Sequence, residues 1–295
     1  MEQGNVIFAP TAGITATRSE RSIGALLIDA GRLKPQDAER VLRLQREEGL
    51  RFGDAAMKLG LLTKADIDFA LARQFDYPYL RRGESAVSEE LVAAYAPFSP
   101  QVEALRALRS QLMLRWFDSD PARKTLAIVS AARKEGRSFI AANLAVVFSQ
   151  LGEHTLLIDA DLRHPRQQEL FALENRVGLS AVLSGRAGAE AIQRIPSLLD
   201  LWVLPSGAQP PNPLDLLARP LFAQLLKDLA QKFDVIILDS PPSENCADAQ
   251  TIAVRAEGAL IVARKNTTRM WQVRGVSDSV APASVTVVGT VLNDF

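Results

Sequence analysis

The chain is poor in the residues that staple or metallate small domains. Cys246 is its single cysteine, and His154 and His164 are its only histidines. An internal disulfide, a cysteine cluster and a histidine-rich metal site are excluded on those counts. Cys246 is expected to be a small buried thiol. No apolar run approaches the ~18 residues that a membrane-crossing helix needs. The opening stretch MEQGNVIFAPTAGITATRSE lacks the basic start and long apolar middle of a signal peptide. Residues 1–19 are therefore expected to be a disordered tail, and the protein to be cytoplasmic. Neither sign of charge dominates: Lys plus Arg and Asp plus Glu stand at 34 each, which argues against a nucleic-acid partner. Tyrosine is scarce too, with Tyr77, Tyr79 and Tyr95 and none later. The 295 residues leave room for one large domain or two smaller ones.

What is present begins with an internal repeat. Gly24 and Gly53, Gly31 and Gly60, Leu33 and Leu62, and Gln45 and Gln74 are each separated by 29 positions. SIGALLIDAGRLKPQDAERVLRLQ (22–45) thus aligns with RFGDAAMKLGLLTKADIDFALARQ (51–74), with REEGL between them. Each copy reads as a short helix, a glycine stop and a second helix, with Thr63 a candidate N-cap. Apolar positions recur at helical spacing, so two hairpins packed face to face would bury what one alone cannot.

These paired motifs resemble the MshEN domain, the N-terminal module of type II secretion and pilus ATPases. The resemblance implies cyclic di-GMP binding through the opening triplet of each copy and the apolar positions behind it. In the second copy those residues are Arg51, Phe52 and Gly53. In the first they are Ile23, Gly24 and Leu27, with Ser22 in the arginine's place and Arg21 one position earlier. A guanidinium can both hydrogen-bond a guanine edge and stack on its ring, and serine cannot do both. A helical docking module that binds no nucleotide is the alternative reading. The repeat domain is expected to span 20–80, followed by a linker over 81–98 with one short helix at 88–95.

From residue 99 the pattern changes. An amphipathic helix over 102–116 is followed by apolar runs alternating with helical stretches, as in an α/β, doubly wound, mostly parallel sheet. Three runs end in chemistry: SAARKEGRS (130–138), LLIDADLRHP (156–165) and VIILDSPP (235–242). Open α/β sheets bind their ligands at the carboxyl ends of such strands. Gly136-Arg137-Ser138, between a predicted strand over 125–130 and a helix over 138–151, has the placement of a phosphate-binding loop. Its backbone amides would attract phosphate oxygens, and the Ser138 hydroxyl would ligate magnesium. Asp159, Asp161 and Asp239 sit at strand ends, where carboxylates hold a hard cation and orient an attacking hydroxyl.

Together these residues resemble the bacterial tyrosine kinases (BY-kinases) of exopolysaccharide loci, of the chain-length-determinant type, within the wider MinD/ParA-like P-loop superfamily. The resemblance covers about residues 99–295. It implies ATP or ADP held by Arg133, Lys134, Glu135, Gly136, Arg137, Ser138 and Phe139, with Asn293 approaching adenine. It implies Mg2+ on Ser138, Asp161 and Asp239, and phosphoryl transfer served by Asp159, Asp161 and Arg137. Glu103, Arg106 and Arg109 match the motif through which such kinases close a ring homo-oligomer, the alternative being a solvated helix face with i,i+3 pairs. The implied partner is the cytoplasmic end of a membrane polysaccharide copolymerase. Asp248 and Arg264 also match family positions.

Three departures stand out. Arg137 replaces the loop lysine, a planar fork in place of a compact charge, and Lys134 stands where the family loop has glycine. The family's C-terminal tyrosine cluster also has no counterpart, so the acceptor is expected to be Tyr77, Tyr79, Tyr95 or another protein. Three readings remain open: a kinase-like regulator of polysaccharide export, a catalytically impaired adaptor in the same machinery, and a ParA-like positioning ATPase.

Overall fold

A computed structural model of the chain describes residues 22–74, 79–244, 246–283 and 285–294. The chain divides into two compact units, with the boundary between residues 77 and 78.

The first unit carries helices α1 (Ile23–Asp29), α2 (Pro35–Glu48), α3 (Phe52–Lys58) and α4 (Lys64–Gln74). The repeat is visible in the backbone: α1 and α3 are followed by the equivalent glycines Gly31 and Gly60, left-handed at φ 68° and 65°. Glycine takes that conformation without the cost a Cβ brings, which is why both stops are glycine. Thr63 caps α4 as its sequence suggests. Its Oγ1 accepts from the Asp66 amide at 3.3 Å, and Asp66 Oδ2 accepts from the Thr63 amide at 2.9 Å. The hairpins exchange partners, α1 lying on α4 and α2 on α3. Leu27, Val41, Ala55, Ala56 and Ala70 are fully buried between them.

The second unit opens with α5 (Val92–Tyr95) and α6 (Pro100–Leu112), the latter running on into a wider turn at Met113–Phe117. There follow β1 (Thr125–Ser130), α7 (Arg137–Ser149), β2 (Thr155–Asp159), α8 (Gln167–Leu170), α9 (Leu179–Leu183), β3 (Gln193–Arg194) and β4 (Leu201–Leu204). The remaining elements are α10 (Pro213–Ala218), α11 (Pro220–Ala230), β5 (Val235–Asp239), α12 (Asp248–Ala256), β6 (Gly258–Arg264), α13 (Met270–Val280) and β7 (Thr286–Asn293). The strands form one sheet in the order β3-β4-β2-β5-β1-β6-β7, parallel except for the β3–β4 pair. Helices cover both faces, so the central strands are apolar on both sides. Leu126 and Ile128 pack with α6 and α7, while Ala127 and Val129 pack with α9 to α13.

Residues 81–98 are not the linker that their prolines and charges suggest. Leu91, Ala93 and Ala94 are fully buried, and the Tyr95 hydroxyl donates to the Val87 carbonyl. Side chains of α7 satisfy this segment's backbone: Asn143 Oδ1 accepts from the Ala93 amide at 3.0 Å, and Gln150 Nε2 donates to the Ala93 carbonyl at 3.0 Å. An irregular segment stitched down by side chains carries no periodicity to read. The expected short helix is confined to α5.

Candidate functional site

Parallel pairing sets the site's frame. β5 lies between β1 and β2, with Asp239 in register with both Ile128 and Asp159. The carboxylates that end β2 and β5 are thus immediate neighbours across ~5 Å of sheet. The segment joining β1 to α7 wraps the carboxyl end of β1, with Lys134 at φ 62° and Gly136 at φ 92°. The family's glycine position therefore does hold a left-handed backbone here, and lysine there costs about 1–2 kcal/mol. Residues 133–138 line a cavity together with Asp161, His164, Arg166 and Pro242.

Arg133 and Lys134 are exposed at its rim, Arg133 Nη1 lying 3.2 Å from His164 Nε2. Three further residues that the resemblance puts on the nucleotide make contacts within the protein. Glu135 is 2 % exposed and turns inward, accepting from the Ala132 amide at 2.8 Å and from the Thr268 hydroxyl. Phe139 packs against the core beneath the loop. Asn293 is buried, and its Nδ2 donates to the Glu135 carbonyl at 3.1 Å, so it braces the loop. Arg264 Nη1 donates to the Lys134 carbonyl at 3.3 Å, a second brace on the same loop.

Arg137 makes the largest departure. Its guanidinium, expected to point at phosphate, is buried and folded back over the strand ends. Nη1 donates to Ser130 Oγ at 2.6 Å, Nη2 lies 3.5 Å from Asp161 Oδ2, and Nε lies 3.5 Å from Asp239 Oδ1. Two buried carboxylates attract the nearest cation, and the forked side chain is long enough to reach both.

The three aspartates divide the work. Asp159 is fully buried with both oxygens occupied: Oδ1 accepts from the Asp161 amide, and Oδ2 from the amides of Arg166 and Gln167 at 3.0 and 2.9 Å. Burial pushes its pKa well up, and the neighbouring Asp239 charge adds to the rise. Asp159 ties down the turn after β2 and does not line the cavity, whereas the resemblance implies a part in phosphoryl transfer, as base or metal orienter. Asp161 does line it, with Oδ1 held by the amides of Arg163 and His164. In Asp239, Oδ2 accepts from Gln167 Nε2 at 2.7 Å, while Oδ1 is buried and accepts no hydrogen bond. Burial raises the Asp239 pKa, opposed by the charge of Arg137 and by Gln167 and Ser138.

Among the described residues no group of three acidic, histidine or cysteine side chains is arranged to cage a metal. Asp159, with both oxygens taken, stands apart from Asp161 and Asp239, the two carboxylates expected on magnesium. The donors fit magnesium in its usual mode, held by one or two carboxylates with the rest of its shell from phosphates and water. Asp239 Oδ1, a buried anionic oxygen that accepts no hydrogen bond and meets Arg137 Nε only at 3.5 Å, is the carboxylate oxygen best placed to take a metal ion. Gln167, Thr268, His164 and Arg166 escaped the sequence reading. They serve the site through side-chain or turn geometry that no spacing rule encodes.

Outside the cavity, Arg163 grips the fully buried Asp248 with two bonds of 2.7 and 3.1 Å. On α6, Arg106 pairs with Glu103 at 3.3 Å, and Arg109 Nη1 donates to the Val147 carbonyl at 2.8 Å. Both arginines of that motif thus have bonds within their own chain. Cys246 is half-buried, Sγ lying 3.4 Å from the Pro242 carbonyl. Tyr95, one of the three possible acceptors, is buried and its hydroxyl engaged, so it is no acceptor in this fold. Tyr77 and Arg21 lie outside the described residues. In the first unit Leu27 belongs to the core, and the Phe52 ring covers Gly24, where an added Cβ would lie 3.1 Å away. Ile23 and Gly53 are half-buried and Arg51 is exposed.

No protein-family model matches the chain. Individual proteins do. The chain is 35 % identical over 209 residues to the tyrosine-protein kinase YwqD of Bacillus subtilis (strain 168), spanning 71 % of this chain and 87 % of that one. It is 34 % identical over 195 residues to the tyrosine-protein kinase ptk of Acinetobacter johnsonii, covering 66 % of this chain and 26 % of that longer relative. The solved kinase domain of the Escherichia coli tyrosine kinase ETK superposes with a TM-score of 0.68 at 30 % identity, over 75 % of this chain and 85 % of that domain. A parallel sheet with a phosphate loop after β1, acidic ends on β2 and β5, and this degree of likeness together place the chain in the family of bacterial tyrosine-protein kinases.

Proposed function

We propose that the protein is an ATP-binding, tyrosine-kinase-like regulator of exopolysaccharide polymerisation or export. It acts as a ring-forming homo-oligomer on the cytoplasmic end of a membrane copolymerase. The observation that carries this reading is the cavity between residues 133–138 and Asp161, with Asp239 Oδ1 buried behind Arg137 and accepting no hydrogen bond. The loop amides and the first turn of α7 attract phosphate oxygens. Ser138, Asp161 and Asp239 are the groups to hold magnesium, which when bound neutralises charge on the transferred phosphoryl group. Asp161, the carboxylate that lines the cavity, orients the acceptor hydroxyl, and Asp159 fixes the turn that presents Asp161. Arg137 must swing from Asp161 and Asp239 toward phosphate for transfer to proceed, so its fork both blocks and equips the site. Incubation with magnesium and γ-labelled ATP tests the reading: label on protein and ADP release are expected from the wild type and not from Asp161→Ala. Equal label from both would overturn it.

A second reading is a catalytically impaired adaptor that uses nucleotide only to hold its shape. The ion pairs of Arg137 with Asp161 and Asp239 favour it, as does the left-handed Lys134. Arg137→Lys separates the two. A kinase held back by its arginine gains turnover, by up to about 100-fold, when the compact charge is restored. An adaptor gains none.

For the first unit we propose an MshEN-like input that takes cyclic di-GMP at Ile23, Gly24, Arg51, Phe52 and Gly53, with Arg21 in reach by sequence. Its support is the twofold helical repeat and the exposed Arg51 beside the glycine-backed Phe52 ring. Calorimetry with cyclic di-GMP on the full chain tests it, and absence of heat at high ligand concentration removes it.

A further inference from the structure

Gln167 is a fully buried polar side chain at the meeting point of the site's three working parts. Its backbone amide donates to Asp159 Oδ2 at 2.9 Å. Its side-chain Nε2 donates both to Asp239 Oδ2 at 2.7 Å and to the Ser138 carbonyl at 3.2 Å. Both partners of that NH2 group are pure acceptors, so the amide has one sense only, with nitrogen toward Asp239 and oxygen away. Its Oε1 is then left buried without a donor, and Asp239 Oδ1 accepts no hydrogen bond, its nearest cation being Arg137 Nε at 3.5 Å. An orphaned acceptor next to a carboxylate oxygen held only by a long ion pair is costly in a closed site and natural beside a metal ion with its water.

We propose that Gln167 is the positioning residue of the metal site, clamping Asp239 by Oδ2 so that Oδ1 is the oxygen offered to magnesium, while tying Asp239 to the start of α7 through Ser138. The inference rests on the nucleotide-site reading above and names a residue that acts through Asp239, not on the substrate. A carboxylate free to rotate presents either oxygen, and the ion's narrow octahedral geometry penalises that freedom. Outer groups that fix a ligand's orientation are typically worth about 10- to 100-fold in metal affinity.

ADP titrated calorimetrically into the full chain, with and without magnesium, gives the affinity ratio that magnesium confers. Gln167→Met keeps the volume and loses the donor, Gln167→Glu keeps the size and turns an oxygen toward Asp239, and Gln167→His can still donate from a ring N–H. The ratio is expected to fall by about 10- to 100-fold in the Met and Glu variants and to be largely kept in the His variant. A structural filler predicts a different pattern, with thermal stability falling in all three and the ratio held. Thermal unfolding of each variant is recorded, and if the Met variant does not fold, the Glu variant reads the same quantity. A ratio unchanged in Met or Glu, or lost equally in Met, Glu and His, overturns the role of Gln167 while leaving the nucleotide site standing. Absence of ADP binding to the wild type in both conditions overturns the site itself, and with it this inference.

Discussion

At the scale of single residues, the site shows how far one side chain's length and backbone can change a familiar device. Lys134 is held at φ 62° by the loop it closes, a conformation that costs a Cβ-bearing residue about 1–2 kcal/mol. Glycine there escapes that cost but loses more chain entropy on folding, about 0.5–1 kcal/mol. Lys134→Gly is therefore expected to stabilise the second unit by about 0.5–1 kcal/mol, a rise of ~1–4 °C in its Tm. A calorimetric scan that shows no rise, or a fall, would mean that Lys134 makes a compensating interaction at the rim. The identity of the loop and of two site carboxylates was legible in the sequence because both lie at the ends of apolar strands. What Arg137, Glu135 and Asn293 do with their side chains was not, since each answers to neighbours the fold brings in from elsewhere in the chain: Ser130 and Asp239, Thr268, and Glu135 respectively.

At the scale of elements, the reciprocal cap of α4 offers a clean test of the helical repeat. Asp66 takes hydrogen bonds from the Thr63 amide and hydroxyl and from Arg32. Burial alone would raise its pKa, but these donors outweigh burial and leave it lowered. A lowered carboxylate contributes stability above its unfolded pKa, and that contribution disappears as pH falls through its folded value. Thr63→Ala is expected to cost the first unit about 1 kcal/mol at neutral pH. Asp66→Asn should cost a similar amount at neutral pH and progressively less in acid, where the wild-type carboxyl is itself neutral. Chemical denaturation followed at several pH values checks both, and a pH-independent penalty for Asp66→Asn would refute the assignment. The cap and the glycine stops could be read from sequence because they are local. The exchange of partners between hairpins, α1 with α4 and α2 with α3, is a tertiary choice that periodicity does not specify.

At the scale of the whole molecule, the two units meet earlier in the chain than composition suggests, at residue 78 and not at 99. The segment before α6 belongs to the core on the α7 face of the sheet. A chain beginning at residue 78 is therefore expected to fold as a cooperative unit. One beginning at residue 99, stripped of Leu91, Ala93, Ala94 and Tyr95, is expected to leave an apolar trough over α7 and to aggregate or unfold at much lower denaturant. Equal denaturation midpoints for the two would restore the linker reading. A mostly parallel sheet with helical coverage followed from the alternation of apolar runs and helices. The boundary did not, because an irregular segment hides its burial in side-chain bonds from Asn143 and Gln150.

Those same bonds give α7 a lever arm. The helix begins at the phosphate loop with Arg137, and two turns further on Asn143 grips both the Ala93 amide and the Glu90 carbonyl. A stiff rod seated by an anion at one end must carry its grip on residues 90–93 with it. The Ala93 amide is thereby a remote gauge of occupancy: its deuterium uptake should slow when ADP seats the rod, far from any atom the nucleotide touches.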